Sequence, residues 1–154
     1  MRILVTSDTH GDFFSLKQAV NQQKSAEIII HCGDSQGEVE ELKMLYPDKA
    51  IYAVKGNCDF GSTLNTVETI NVEGKKIFIT HGHLYNAKMT LYNLCCAARE
   101  DNADIVVFGH THNALAEYDD GLYILNPGSL HGYYASYAYI DIENNGIMTN
   151  IVKL

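Results

Sequence analysis

Ile105-Val106-Val107-Phe108-Gly109-His110-Thr111-His112 is the stretch on which the reading of this chain turns. Four apolar residues in a row, closed by glycine, read as a short buried strand. Two His, spaced two apart, then fall in the loop at the strand's carboxyl end. Imidazole is the commonest protein ligand for Zn, Mn, Fe or Ni. Taken alone, the motif reads equally as a polar loop that caps a strand. Partners from distant segments decide between the two.

Working outward, the same punctuation recurs. The strand at 2–7 runs into Asp8-Thr9-His10, and the strand at 26–31 ends on Cys32-Gly33-Asp34. The strand at 50–54 ends on Gly56-Asn57-Cys58-Asp59, and Lys75–Thr80 ends on His81-Gly82-His83. Helices are expected at about 13–23, 36–45 and 87–101, the last with Ala87, Leu91, Leu94, Cys95 and Ala98 on one stripe. Strand, loop and helix alternate through the first third, which predicts mainly parallel pairing there, with ligand-binding loops at the strand carboxyl ends. Glu73-Gly74 and Asn144-Asn145-Gly146 carry hairpin signals. The last third reads as all strand. The expectation is an α/β chain, one domain over 1–154, with two sheets packed face to face and helices outside.

Composition narrows the function. Net charge is −8, and Arg2 and Arg99 are the two arginines. Such a chain lacks the basic footprint of a duplex-binding protein, so no long nucleic acid is expected as a partner. No apolar run approaches the roughly 20 residues of a membrane span. The first strand begins at Arg2, which leaves no room for a secretion signal, and the four Cys show no CxxC spacing. A cytoplasmic protein with mostly buried free thiols is expected. Bound dications would reverse the sign of the charge locally.

Collected together, the strand-end residues are Asp8, His10, Asp34, Asn57, His81, His110 and His112. A mixed N/O donor set suits borderline divalent metals and not Ca or Mg alone. Seven donors exceed one tetrahedral site, and a carboxylate shared by two ions roughly 3.5–4 Å apart is the arrangement of hydrolytic two-metal sites. In their order, Asp8-x-His10, Gly33-Asp34, Gly56-Asn57-x-Asp59, His81 and Gly109-His110-Thr111-His112 resemble the motif set of calcineurin-like metallophosphoesterases. The short length and the Asn126-Pro127-Gly128-Ser129 turn are similar to those of the small YfcE-like phosphodiesterases.

The resemblance implies a four-layer αββα sandwich of two mixed β-sheets flanked by helices. It implies that Asp8, His10 and His112 hold one ion, that Asn57, His81 and His110 hold the other, and that Asp34 bridges them. The two divalent transition-metal ions would be Mn first, with Ni, Fe, Co or Zn as alternatives. The implied reaction is hydrolysis of a small phosphodiester by a hydroxide bridging the dinuclear centre, with a homo-oligomer left open. Two departures bear on substrate. Cys58 stands where many members carry His, and Leu130-His131-Gly132-Tyr133 stands where many carry a basic residue. His83 is a further candidate for substrate contact or proton donation, and Cys58 is counted with the catalytic set. His31 is expected to pack at a strand end, Thr9 and Thr111 to satisfy backbone groups, and Tyr133, Tyr134, Tyr137 and Tyr139 to pack in a sheet or subunit contact. Two other readings compete: a protein-binding scaffold resembling the retromer subunit on this fold, and a phosphomonoesterase or dinucleotide hydrolase of the same superfamily.

Overall fold

The computed structural model describes residues 1–144 and 146–154. The hairpin expected at 144–146 therefore falls partly outside the described residues. The first sheet contains β1 (Arg2–Thr6), β2 (Ile28–His31), β3 (Ala50–Ala53), β9 (Ser136–Glu143) and β10 (Gly146–Lys153), in the order β10-β9-β1-β2-β3. The second contains β4 (Val67–Val72), β5 (Lys75–Thr80), β6 (Ile105–Val107), β7 (Leu115–Asp119) and β8 (Leu122–Asn126), in the order β4-β5-β6-β8-β7. Both sheets are mixed. β1, β2 and β3 are parallel, and so are β5, β6 and β8, while β9 and β10 in the first sheet and β4 and β7 in the second pair antiparallel.

Alternation within the apolar runs builds the layers, because successive side chains in a strand point to opposite faces. Ile3 and Val5 of β1, Ile77 and Ile79 of β5, and Ile105 and Val107 of β6 meet between the sheets. Leu4 and Ile29 face the other way, onto Leu16, Ala19 and Val20 of α1 (Phe13–Gln22) and Leu42 of α2 (Glu38–Leu45). Phe78 and Val106 likewise face Leu94 and Ala98 of α3 (Tyr92–Glu100). The result is the expected helix–sheet–sheet–helix sandwich. β1, β2, β3, β5 and β6 each open at the carboxyl end into a loop carrying candidate donors, and the loops converge on one edge.

The third helix departs from expectation. It begins at Tyr92, five residues later than the apolar stripe suggests, and His83–Tyr85 form a single 3-10 turn. Gly82 and Asn86 both adopt the left-handed region, and the Ala87 N–H turns back to the Gly82 carbonyl. Ala87 keeps its buried position in the α3–sheet cluster although it lies outside the helix. Among the cysteines only Cys32 is buried; Cys58, Cys95 and Cys96 are partly exposed. Tyr137 is fully buried in β9, whereas Tyr133 and Tyr134 precede that strand and are 94% and 86% exposed, so they do not pack in the sheet. No helix among the described residues is long and apolar enough to cross a membrane.

Candidate metal centre

The strand-end loops bring the predicted donors together. Donor atoms of Asp8, His10 and His112 lie within 4.8 Å of one another, as do those of Asp8, Asp34 and His81 and those of His10, Asp34 and Cys58. His112 Nε2 stands 3.1 Å from Asp8 Oδ1 and 3.4 Å from His10 Nε2. Asn57 Oδ1 is 3.1 Å from His81 Nε2, and Asp34 Oδ2 is 3.4 Å from the same nitrogen. The His110 ring packs edge-on to His81 with centroids 5.1 Å apart, although its nitrogens belong to none of the three tight groups. His83 completes the array, 5.3 Å from the His81 ring and 6.1 Å from that of His110.

Backbone conformation, not side-chain reach alone, aims these groups. Asp8, His10, Asp34, His110 and His112 all adopt left-handed φ values between 47° and 66°. Such a conformation is uncommon for residues with a Cβ, though Asp, Asn and His tolerate it best, and its clustering marks a functional site. The chain can also approach itself closely where glycine permits. A Cβ on Gly56 would land on the Asp34 carboxylate, and one on Gly109 would overlap the Ser7 hydroxyl and Asp8 Oδ2.

Hydrogen bonds then fix the carboxylates. Asp8 Oδ2 accepts from the Ser7 hydroxyl at 2.6 Å and from the His110 N–H at 3.0 Å, while Ser129 Oγ donates to the Asp8 carbonyl. Asp34 Oδ1 accepts from the Cys58 N–H at 2.7 Å. Burial alone would raise the Asp34 carboxyl, but His81 and the Cys58 N–H outweigh it and hold the group far below the usual carboxylate range. His81 is raised overall: burial pushes it down, and the hydrogen bond and charge of Asp34, with the charge of Asp8, win. Burial and the neighbouring His81 push His110 down to about 4, and the same two causes lower His83.

Three groups brace the donor loops. Asp59 is buried, and its carboxylate takes the N–H groups of Asp34, Gln36 and Gly56 at 2.7–2.8 Å, which locks two donor loops together. His31 accepts the Gly33 N–H on Nδ1, so its Nε2–H faces Thr9 Oγ1 at 3.1 Å, and that hydroxyl donates to buried Glu38. The packed strand-end His31 expected from the sequence is thus correct, and Thr9 serves side chains instead of backbone. Asn126 donates to the Gly109 carbonyl at 2.9 Å and to Thr111 Oγ1 at 3.1 Å, and so holds the His110–His112 loop from behind. His131 stands at the rim, its ring 6.2 Å from that of His10.

The donor set fits a cation. Asp8 Oδ1 is buried and accepts no hydrogen bond among the described residues, although imidazole nitrogens of His10, His81 and His112 gather 3.1–3.9 Å around it. Buried polar atoms are normally satisfied, so an orphaned carboxylate oxygen ringed by imidazoles is a cavity for positive charge.

Comparison with known proteins agrees. A profile of the calcineurin-like phosphoesterase superfamily domain matches residues 1–145. The chain is 38% identical over 151 residues to a probable metallophosphoesterase of Bacillus subtilis, YsnB, covering 94% of this chain and 86% of that one. It is 30% identical over 169 residues to the phosphodiesterase YfcE of Escherichia coli, covering 92% and 88%. Among solved structures, a conserved uncharacterized Streptococcus pneumoniae protein described as a predicted phosphoesterase superposes with a TM-score of 0.84 at 28% identity, over 99% of this chain and 88% of that one. Zinc-complexed Vps29 of Entamoeba histolytica superposes with a TM-score of 0.78 over 99% of both chains, but at 23% identity it shows the fold alone. Fold, donor loops and sequence matches converge, and the chain belongs to the calcineurin-like phosphoesterase superfamily.

Proposed function

We propose that this chain is a phosphodiesterase working through two divalent transition-metal ions, Mn foremost. Asp8, His10 and His112 would hold one ion, Asn57, His81 and His110 the other, with Asp34 shared between them. The observation that carries the reading is Asp8 Oδ1, buried, unbonded and ringed by imidazole nitrogens beside Asp34 and His81. When bound, such ions supply an activated water and neutralise the phosphoryl oxygens. The chain's own part is placement: Asp59 and Asn126 fix the loops, and the His81 tautomer is set by its Nδ1–H to the Cys32 carbonyl at 2.7 Å.

Charge supports a diester over a monoester. Both arginines are engaged away from the donors, Arg2 with Asp141 and Arg99 with Asp119, each at 2.7 Å. A phosphodiester brings one negative charge and a monoester close to two, so the diester asks less of a site without a guanidinium. The name of the E. coli relative, a phosphodiesterase, points the same way. The scaffold reading rests on the Vps29 fold likeness; the enzyme reading is supported by the candidate ligand atoms of Asp8, His10, Asp34, His81 and His112 lying close together.

The test loads metal-stripped protein with Mn, Co, Ni or Zn, counts ions per chain, and compares bis(4-nitrophenyl) phosphate with 4-nitrophenyl phosphate. The expected result is two ions and a preference for the diester. Preference for the monoester would move the assignment to a phosphomonoesterase, and tight protein association without hydrolysis would move it to a scaffold.

A further inference from the structure

Beside the donors lies a cavity of about 770 Å³, between the loop that leads into α2 and the loop that follows Asn57. Cys58 belongs to both places. It lines the cavity, and its sulfur lies within 4.8 Å of donor atoms of His10 and Asp34. The cavity therefore opens directly onto the position a phosphoryl group would take if the proposed function holds. Its size is that of a small-molecule site.

The lining has a definite chemistry. Val39 and Leu64 give apolar walls, and Phe60 stands at the mouth, 91% exposed. A lone exposed aromatic is ordinary. This one sits on a pinned loop: Asp59 beside it is tied to three backbone N–H groups, the Phe60 N–H donates to the Cys58 carbonyl, and Ser62 N–H donates to that of Asp59. The backbone that carries the ring is thus tied down next to the candidate centre. Gln36 offers a carboxamide whose side chain has no hydrogen bond among the described residues, and Thr63 adds a hydroxyl.

Electrostatics removes several occupants. Among the described residues, no Lys, Arg or His lines the cavity. Its carboxylates are Asp59, fully engaged, and Glu40, whose side chain faces Lys43 at 3.4 Å. A second phosphate would find no positive partner here, so an oligonucleotide extension or a polyphosphate is excluded from this cavity. A neutral arm with a flat π-face and a polar edge meets every feature: ring against Phe60, edge against Gln36. We infer that this cavity seats one ester arm of the substrate, and that the arm is a nucleoside whose base stacks on Phe60. The inference rests on the phosphodiesterase reading for the word substrate, and on the cavity alone for the nucleoside.

The chain has no tryptophan, so Phe60→Trp places a single fluorophore at the cavity mouth. Metal-free and Mn-loaded Phe60→Trp protein is titrated with adenosine, thymidine, ribose and inorganic phosphate. Saturable quenching by the nucleosides, absent with ribose, is expected in both metal states. In the Mn-loaded natural protein, Phe60→Ala should raise KM for a dinucleoside monophosphate about tenfold with kcat little moved, since a base–aromatic stack is worth about 1–3 kcal/mol. Phe60→Tyr should restore KM, and Phe60→Leu, which keeps the apolar cover without the ring, should not. Equal quenching by ribose, no quenching, or recovery by Phe60→Leu overturns the nucleoside seat. Nucleoside quenching without hydrolysis of any phosphodiester leaves the seat standing and overturns the phosphodiesterase reading instead.

Discussion

The ring of His81 is tethered to the carbonyl of Cys32, Nδ1 to oxygen at 2.7 Å, and this one bond decides what the opposite nitrogen can do. A carbonyl only accepts, so Nδ1 carries the proton, and neutral His81 presents a bare lone pair on Nε2. That lone pair faces Asn57 Oδ1 and Asp34 Oδ2, both acceptors in their own right. Three acceptors meeting at one point call for a proton or a cation. The raised pKa of His81 is the proton's answer, and metal binding would be the other.

Asp34→Asn tests the shared carboxylate. Neutralising it removes the charge that two ions would divide, while Oδ1 can still receive the Cys58 N–H. We expect ion stoichiometry under saturating Mn to fall from two to at most one per chain, and phosphodiester turnover to fall at least about 100-fold. The far-ultraviolet circular dichroism should be unchanged. Elemental analysis of the dialysed protein reads the first effect directly.

Asp59→Asn tests the loop lock. An amide NH2 replaces one of the two carboxylate oxygens that receive three N–H groups, and it then faces a donor. Leaving a buried donor unpaired costs about 1–3 kcal/mol. Denaturant unfolding of the metal-free protein should show a loss of that size, and Mn affinity should fall although Asp59 is outside the proposed donor set. Unchanged stability would mean the loops hold themselves.

The pH dependence of stability follows from His31. Full burial pushes it down to about 4, against roughly 6.5 when unfolded. Between those values the unfolded chain binds the extra proton, so stability rises with pH, and it is lost as pH falls from about 6.5 to 4. The full difference amounts to about 3 kcal/mol. His81, raised in the fold, acts oppositely and contributes stability that fades as pH rises above about 6.5. Denaturant unfolding of metal-free protein at several pH values should therefore show an acid limb, and His31→Gln should shrink it without abolishing it, because His110 is also pushed down to about 4. An acid limb identical in His31→Gln would assign the proton to other groups, His110 first.

Cys58 bears on the leaving group. In the metal-free protein, burial and the Asp34 carboxylate push its thiol up, and nearby dications would have to reverse that. In either state it makes a poor acid near neutral pH. Aryl esters should be cleaved far faster than alkyl esters, with a steep dependence of rate on leaving-group pKa. Cys58→His should speed alkyl esters at least tenfold and flatten that dependence. A flat series in the natural protein, lost on His83→Ala, would assign the proton to His83, whose ring lies 5.3 Å from His81.

Local pattern made most of the fold legible. The apolar runs of β1, β2, β5 and β6 stand out because both their faces are buried, and their donor loops follow because each run ends on a small residue beside Asp, Asn or His. What pattern could not give is pairing across distance. β9 lies antiparallel beside β1, with Ile140 opposite Ile3, and nothing near either strand announces it. The start of α3 was misplaced because Ala87 is buried for a reason unrelated to helical period. The work of Asp59 stayed hidden likewise: it depends on backbone N–H groups from separate loops, which carry no mark in the sequence.

The left-handed backbone at Asp8, His10, Asp34, His110 and His112 has a consequence for anyone who would move this centre to another scaffold. Each such residue costs on the order of 1 kcal/mol or more, so five together rival the whole stability of a small domain. A host protein given the same side chains on relaxed loops would point them elsewhere. The turns themselves must be transplanted, along with a core firm enough to hold them wound. Selection for thermal stability alone would run the other way and drift these positions toward glycine, the residue that sits in those turns at ease and ligates nothing.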